Sequence, residues 1–297
     1  MPRYEDYKIL KKLGRGASGK TFLVLHVPSG QKFVMKRVDY IAEEDKIKAN
    51  HAVEQMKLYS SRYTVQLVEA FPFDIDLCIV MQYCTGGDLR QLIVKFQTLP
   101  EEERLMRVWE IACQIIIALD YLHSNGVVHR GIKPENIFIN EDGTVQIGDF
   151  GFVKEFNEND YASIAGTKVY MASEVFQLGK VDFHSDIFSV GVVLFELLTG
   201  KHPFDAGTEQ GTIERIKSGK VGLFPQFVSK DMRDIVGAML SVDPTRRPTT
   251  KKILSCDTIR MYLRMSEIAN MNKSNEQSQE MSISLKNTGK YAKFAED

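Results

Sequence analysis

Apolar positions in residues 7–83 fall into short runs rich in β-branched and aromatic residues and bounded by turn residues, the pattern of β-strands. Lys8-Ile-Leu-Lys-Lys-Leu13 leads into a glycine-rich turn, and the runs Thr21–Leu25 and Lys32–Val38 flank Pro28-Ser-Gly30, a hairpin signal. Residues 43–60 interrupt these runs with acids first and Lys57 late, the order a helix dipole favours. Two more strand-like runs, Val65–Phe71 and Leu77–Tyr83, complete this part.

From residue 88 the period becomes helical. Between Glu101 and His123, apolar residues fall at i, i+3 and i+4 (Leu105, Val108, Ile111, Ala112, Ile115, Ile116, Leu119, Leu122), and Asn125-Gly126 supplies the stop. Ile137-Phe-Ile139 and Val145-Gln-Ile147 bracket Asn140-Glu-Asp-Gly143, a second hairpin signature. Helical patterns return at 183–199, 208–218, 229–240 and 249–265. The pattern predicts a small β-rich lobe followed by a larger helical one, an α+β chain. Residues 266–297 hold only 10 apolar residues in 32, too few for a core, and read as a disordered polar tail.

Charge narrows the function. With 38 Lys+Arg against 39 Asp+Glu, the chain lacks the basic excess that binding a nucleic acid or an anionic membrane surface requires. The densest apolar run, Val190–Phe195, ends at Glu196, far short of the ~18 residues that span a bilayer. Cys78, Cys84, Cys113 and Cys256 form neither a disulfide framework nor a metal-ligand pattern. The charged N-terminus lacks the apolar core of a signal peptide, so a cytoplasmic, soluble protein is expected, with the nucleus left open.

Gly14-Arg-Gly16-Ala-Ser-Gly19-Lys20-Thr21 satisfies two phosphate-binding patterns at once, G-x-G-x-x-G and the P-loop G-x-x-x-x-G-K-[ST]. Both use glycine so that backbone N–H groups reach phosphate oxygens. A P-loop must run into a helix, with Lys20 on phosphate and Thr21 on Mg²⁺; here a hairpin pattern follows. The other reading asks for a lysine on the strand after the hairpin, where Lys36 stands, and a helical carboxylate to hold it, for which Glu54 is eighteen residues on.

His129-Arg-Gly-Ile-Lys-Pro-Glu-Asn136, Asp149-Phe-Gly151 and Met171-Ala-Ser-Glu174 then resemble, in order, the catalytic loop, the D-F-G turn and the A-P-E segment of eukaryotic protein kinases. The likeness covers residues 4–265, and Val80–Leu89 with Gly166-Thr167 is most similar to the NIMA-related serine/threonine kinases. It implies a bilobal kinase-like fold with an N-lobe over about 4–81, a hinge at 82–84 and a C-lobe over about 85–265. It also implies binding of Mg·ATP, with a protein substrate or a regulated partner protein; oligomeric state is left open.

By that resemblance Gly14, Gly16, Gly19, Thr21, Val34, Lys36 and the hinge residues Met81, Gln82, Tyr83 and Cys84 bind the nucleotide. Lys36 contacts the α/β-phosphates and pairs with Glu54, Asn136 and Asp149 hold Mg²⁺, and Lys133 meets the γ-phosphate. Glu174 pairs with Arg247, and Asp186 braces the catalytic loop. Ser163 stands where related kinases carry an activating phosphate, which Arg130 would meet. Residue 131 breaks the pattern: it is Gly where the family has the aspartate that accepts the substrate hydroxyl. The expectation is a nucleotide site with weak transfer, the alternatives being an inactive pseudokinase that acts as a scaffold or regulator and, remotely, the P-loop NTPase. Thr21 and Val34 replace a valine and an alanine of the family with affinity tuned rather than lost, while Ser173 for proline is expected to loosen the A-P-E turn.

Overall fold

A computed structural model describes residues 3–16, 19–152, 154–155 and 167–265 of the chain. The chain divides into two compact units, Met1–Leu254 and Ser255–Asp297. The first opens with five antiparallel strands, β1 (Tyr7–Gly16), β2 (Gly19–His26), β3 (Gln31–Asp39), β4 (Leu67–Phe73) and β5 (Asp76–Gln82), ordered β1-β2-β3-β5-β4. Helix α1 (Glu43–Leu58) lies between β3 and β4 in sequence.

Strand alternation sorts the sheet into two faces. Val24, Met35, Phe71, Cys78 and Val80 bury one of them with Tyr7, and Phe22, Phe33 and Phe73 pack against that cluster. The opposite face then carries Thr21, Leu23, Val34, Lys36, Ile79 and Met81, which the register sets side by side: Thr21 opposite Lys36, and Val34 opposite both Leu23 and Met81. Gly19 begins β2 at φ 121°, and a Cβ there would stand 2.1 Å from the Arg37 carbonyl oxygen, so only glycine admits this close approach. Because β2 follows the glycine-rich turn directly and pairs with β3 from Lys20 onward, no helix N-terminus is available for phosphate. The P-loop reading of Lys20 and Thr21 is therefore incorrect.

The helical part contains α2 (Leu89–Phe96), α3 (Glu101–Ser124), α4 (Ser173–Leu178), α5 (Phe183–Thr199), α6 (Glu209–Ser218), α7 (Lys230–Met239) and α8 (Thr250–Leu254). Helix α5 is buried all round from Ser185 to Leu198 and packs on α3 and α7, so it is the axis of this lobe. Asp182 caps its first turn through its carboxylate, and Gly200 ends it in the left-handed region. Short pairs β6 (Val127–Val128) with β9 (Lys154–Glu155), and β7 (Ile137–Ile139) with β8 (Val145–Ile147), carry the loops between them.

Strand β4 starts two residues later than the apolar pattern suggests, because Val65 and Tyr63 are spent on the other lobe. Val65 N–H donates to the Ile147 carbonyl and Ile147 N–H to that of Tyr63, both at 2.9 Å. The chain just past residue 84 is tied likewise: Gly86 N–H bonds the Ile139 carbonyl at 2.8 Å, an approach that leaves a Cβ only 2.5 Å from that oxygen. The helix expected over 249–265 is broken after α8. Residues 257–265 of the second unit form a separate helix, opened by Asp257, an acid suited to a first turn.

Candidate active site

The glycine-rich turn, β3 and the loops flanking β7 and β8 bring most of the expected residues together. Lys36 Nζ meets Asp149 Oδ1 at 2.9 Å across the two lobes. Burial alone would push the Asp149 carboxyl up, but the Lys36 ammonium offsets this, so the carboxyl sits below its usual range and is ionised at neutral pH. Asp149 holds φ 62° and Arg130 φ 63°, conformations a non-glycine residue keeps only under external constraint. For Arg130 that constraint is Asp186: Oδ2 accepts from His129 N–H at 2.8 Å and Oδ1 from Arg130 N–H at 2.9 Å. Asp186 Oδ2 also meets His123 Nε2 at 3.0 Å. Asp186 thus braces the loop as the sequence implies.

Within that loop, Asn136 Nδ2 donates to the Gly131 carbonyl at 2.8 Å, and Lys133 Nζ reaches Thr167 Oγ1 at 3.4 Å. His129 is fully buried. Its Nδ1 accepts from Gly131 N–H at 3.2 Å and its Nε2 stands 3.1 Å from the Gly148 carbonyl, which defines the Nε2–H tautomer. Burial lowers its pKa, so it is a neutral packing group and offers no replacement for the missing aspartate. No side chain stands at position 131 to orient an acceptor hydroxyl.

Glu54 does not join the site, and this corrects its expected pairing with Lys36. The buried residues of α1 are Ala49, Val53, Gln55 and Met56, and the helix packs on β3, β4 and the turn Phe150–Phe152. Glu54 lies on the far side of the helix wheel from Ala49, Val53 and Met56, and is exposed. At 3.6 residues per turn a carboxylate at position 52 would face inward; Ala52 is there instead.

Thr21, Val34, Lys36 and Met81 share the sheet face turned from the N-lobe core, whereas Gln82 falls on the opposite face and its N–H donates to the Gln66 carbonyl at 2.9 Å. Tyr83 is half-buried beside them, and Cys84 turns its thiol to Gln146 Oε1 at 3.3 Å. A Cβ on Gly14 would meet nothing within 4 Å, leaving the turn open to a phosphate; Gly16 pairs with Gly19 across it. Ser163 lies outside the described residues. Ser173 is buried, and its hydroxyl donates to the Val242 carbonyl at 2.8 Å, a bond proline would not make, so the expected loosening is offset. Arg247 forms a two-pronged pair with Glu174, both contacts at 2.8 Å.

A small sheet lobe and a larger helical lobe, joined at a hinge and bridged by lysine and aspartate, make up a protein kinase domain. The chain belongs to the protein kinase family, with residues 7–259 matching the domain. Its relatives are NIMA-related serine/threonine kinases. It is 33% identical to serine/threonine-protein kinase Nek6 of Oryza sativa subsp. japonica over 87% of this chain and 49% of that protein. With the G2-specific protein kinase nimA of Emericella nidulans it shares 29% identity, over 94% of this chain and 44% of that one. Among solved structures, the twitchin kinase region from C. elegans aligns at a TM-score of 0.75 and 26% identity, over 86% of this chain and 46% of that one. The chain thus spans about half the length of the relatives it matches. Among the described residues no helix is long and apolar enough to cross a membrane.

One titration outside the site is predicted to matter for stability. His202 donates from Nε2 to the Val169 carbonyl at 3.1 Å and accepts Phe204 N–H at Nδ1 at 3.2 Å, and burial drives its pKa down to about 4. The unfolded chain binds this proton near 6.5, so between about 6.5 and 4 it holds a proton the folded protein refuses. Stability is therefore lost as pH falls through that window. Going from pH 7 to 5 this group costs about 2 kcal/mol. His202→Gln is expected to remove that part of the acid loss in urea melts at the two pH values. Equal losses in variant and parent would contradict it.

Proposed function

We propose that the chain binds Mg·ATP between its lobes and transfers the γ-phosphate to protein Ser/Thr hydroxyls only weakly. The observation that carries the reading is the Lys36–Asp149 pair beside a bare position 131: the nucleotide side of a kinase site is kept and the acceptor side lacks its base. The donor chemistry fits the metal. Asp149 is an ionised carboxylate with one oxygen outside the Lys36 pair, and Asn136 adds an amide oxygen; two protein oxygens suit Mg²⁺, which fills its shell with water and phosphate. When bound, the ion offsets charge on the phosphates. Lys36 and Lys133 would position those phosphates, and Asp186 would hold the loop.

Glu54 favours the second reading, a pseudokinase whose nucleotide-bound form recruits or regulates a partner. With Glu54 exposed and Ala52 facing inward, Lys36 lacks the helical carboxylate that active kinases use. Gly131 and the outward-turned Glu54 together withhold two groups that serve transfer more than binding.

Mg·ATP at a hundred times its dissociation constant should stabilise the fold by about 2.7 kcal/mol, roughly 5–10 °C in Tm for a domain of this size. Lys36→Met is expected to abolish that shift and Glu54→Ala to leave it. Persistence of the shift in Lys36→Met would overturn the assignment of the nucleotide site.

A further inference from the structure

Next to the loop that ends in Asn136 lies a charge cluster that phosphate binding does not use. Glu135 Oε1 accepts from Arg90 Nε at 2.8 Å, and Glu196 Oε2 from Arg90 Nη1 at 3.2 Å. The Tyr170 hydroxyl donates to Glu196 Oε2 at 2.8 Å and accepts from Arg90 Nη2, and the guanidinium carbon stands 5.7 Å from the tyrosine ring centre. One arginine from α2 therefore bonds a loop carboxylate, an α5 carboxylate and a phenol.

Three features distinguish it from a core residue. The Arg90 and Glu135 side chains keep 40% and 41% of their surface, so the cluster opens outward. Glu135 Oε2 is buried and accepts no hydrogen bond among the described residues, although a fork-shaped guanidinium can fill both oxygens of a carboxylate. The cluster also flanks the acceptor side: Glu135 adjoins Asn136, and Tyr170 follows by three residues the Thr167 that meets Lys133. An extended peptide advances ~3.3 Å per residue, so one with its hydroxyl near Gly131 passes these groups within a few residues.

We propose that Arg90 is a specificity-determining residue that fills, from within the chain, an acidic side-chain subsite built by Glu135, Glu196 and Tyr170. The protein then takes peptide segments without Arg or Lys at that register, and removing Arg90 opens the subsite to a peptide guanidinium. This rests on the kinase reading for the path of the peptide, and not for the subsite itself.

At pH 8, Arg90→Ala is expected to lower Tm and to recover it saturably with millimolar ethylguanidinium, whereas the parent and Arg90→Ala/Glu135→Gln/Glu196→Gln do not respond. In fluorescence anisotropy with labelled peptides that walk one Arg past a central Ser, Arg90→Ala should bind one register at least tenfold tighter than its citrulline counterpart, and the parent should show no such preference. Arg90→Gln, which keeps a donor for Glu135, serves the same tests if the alanine variant does not fold. No saturable recovery, equal recovery in the triple variant, or an Arg preference already present in the parent would overturn the proposal. Mg·ATP binding by the parent is measured alongside; its absence would remove the functional reading and leave the guanidinium result standing.

Discussion

Replacing Gly131 by aspartate is expected to raise phosphotransfer to a Ser/Thr peptide by about 10²–10⁴-fold, the usual worth of a positioned general base, or about 3–5 kcal/mol of barrier. The site admits the side chain. A Cβ at 131 would meet His129 Cε1 and Nδ1 at 3.5 Å and Asn136 Nδ2 at 3.6 Å, which is ordinary contact, and Gly131 is outside the positive-φ glycines, so no backbone strain opposes it. Its neighbours are already set, with Asn136 bonded to the 131 carbonyl and the loop pinned by Asp186. Single-turnover transfer from labelled ATP to a pooled peptide mixture, parent beside variant, measures the gain. Parent rates of ~1–100 s⁻¹, the ordinary kinase range, would contradict impairment. A variant that binds Mg·ATP yet gains nothing would show that position 131 is not what limits transfer. Ala52→Glu in the aspartate background should add a further gain by supplying Lys36 with a carboxylate from α1.

How much of this was legible in the sequence depends on how local each signal is. Gly19, Lys36 and Asp149 sit in motifs whose order along the chain names the elements that carry them, and strand alternation puts Val34 and Lys36 on one face, to which the register of β2 and β5 adds Thr21 and Met81. The orientation of α1 is a different matter. One residue turns a helix by 100°, so the spacing from Lys36 to Glu54 says nothing of which face Glu54 takes. The apolar pattern of α1 is also a poor guide: Ile47 and Leu58 are exposed, while Gln55 is 8% exposed with its Oε1 buried and without a hydrogen bond among the described residues. The Arg90 cluster was invisible for a related reason. Its members lie at 90, 135, 170 and 196, and only packing of α2 and α5 about the catalytic loop joins them. Asp186 and Glu174, by contrast, were readable because their neighbours in sequence mark them.

The largest stability effect expected from one side chain is that of Arg247. Its guanidinium meets both oxygens of Glu174, donates from Nε to the Ser241 carbonyl at 2.8 Å and from Nη1 to that of His184 at 3.0 Å, and lies 4.9 Å from the centre of the Phe188 ring. Neither partner is exposed beyond 6%. Arg247→Met leaves a buried carboxylate whose remaining side-chain bond comes from the Ser185 hydroxyl at 2.7 Å, the Ser173 proton being given to the Val242 carbonyl, and breaking such a pair on one side costs about 3–5 kcal/mol. Removing both charges in Glu174→Gln/Arg247→Met costs less, because the desolvated carboxylate goes with its partner. Urea unfolding of the four members of this cycle measures the coupling. A single-variant loss below about 1 kcal/mol, the range of an exposed pair, would contradict the assignment. The pair fixes Glu174 at the start of α4, against the Arg247 segment and the first turn of α5, so the same variant should also loosen the chain between Thr167 and α5. Faster proteolysis there than in Glu174→Gln/Arg247→Met would show that the uncompensated carboxylate, more than the lost contact, drives the opening.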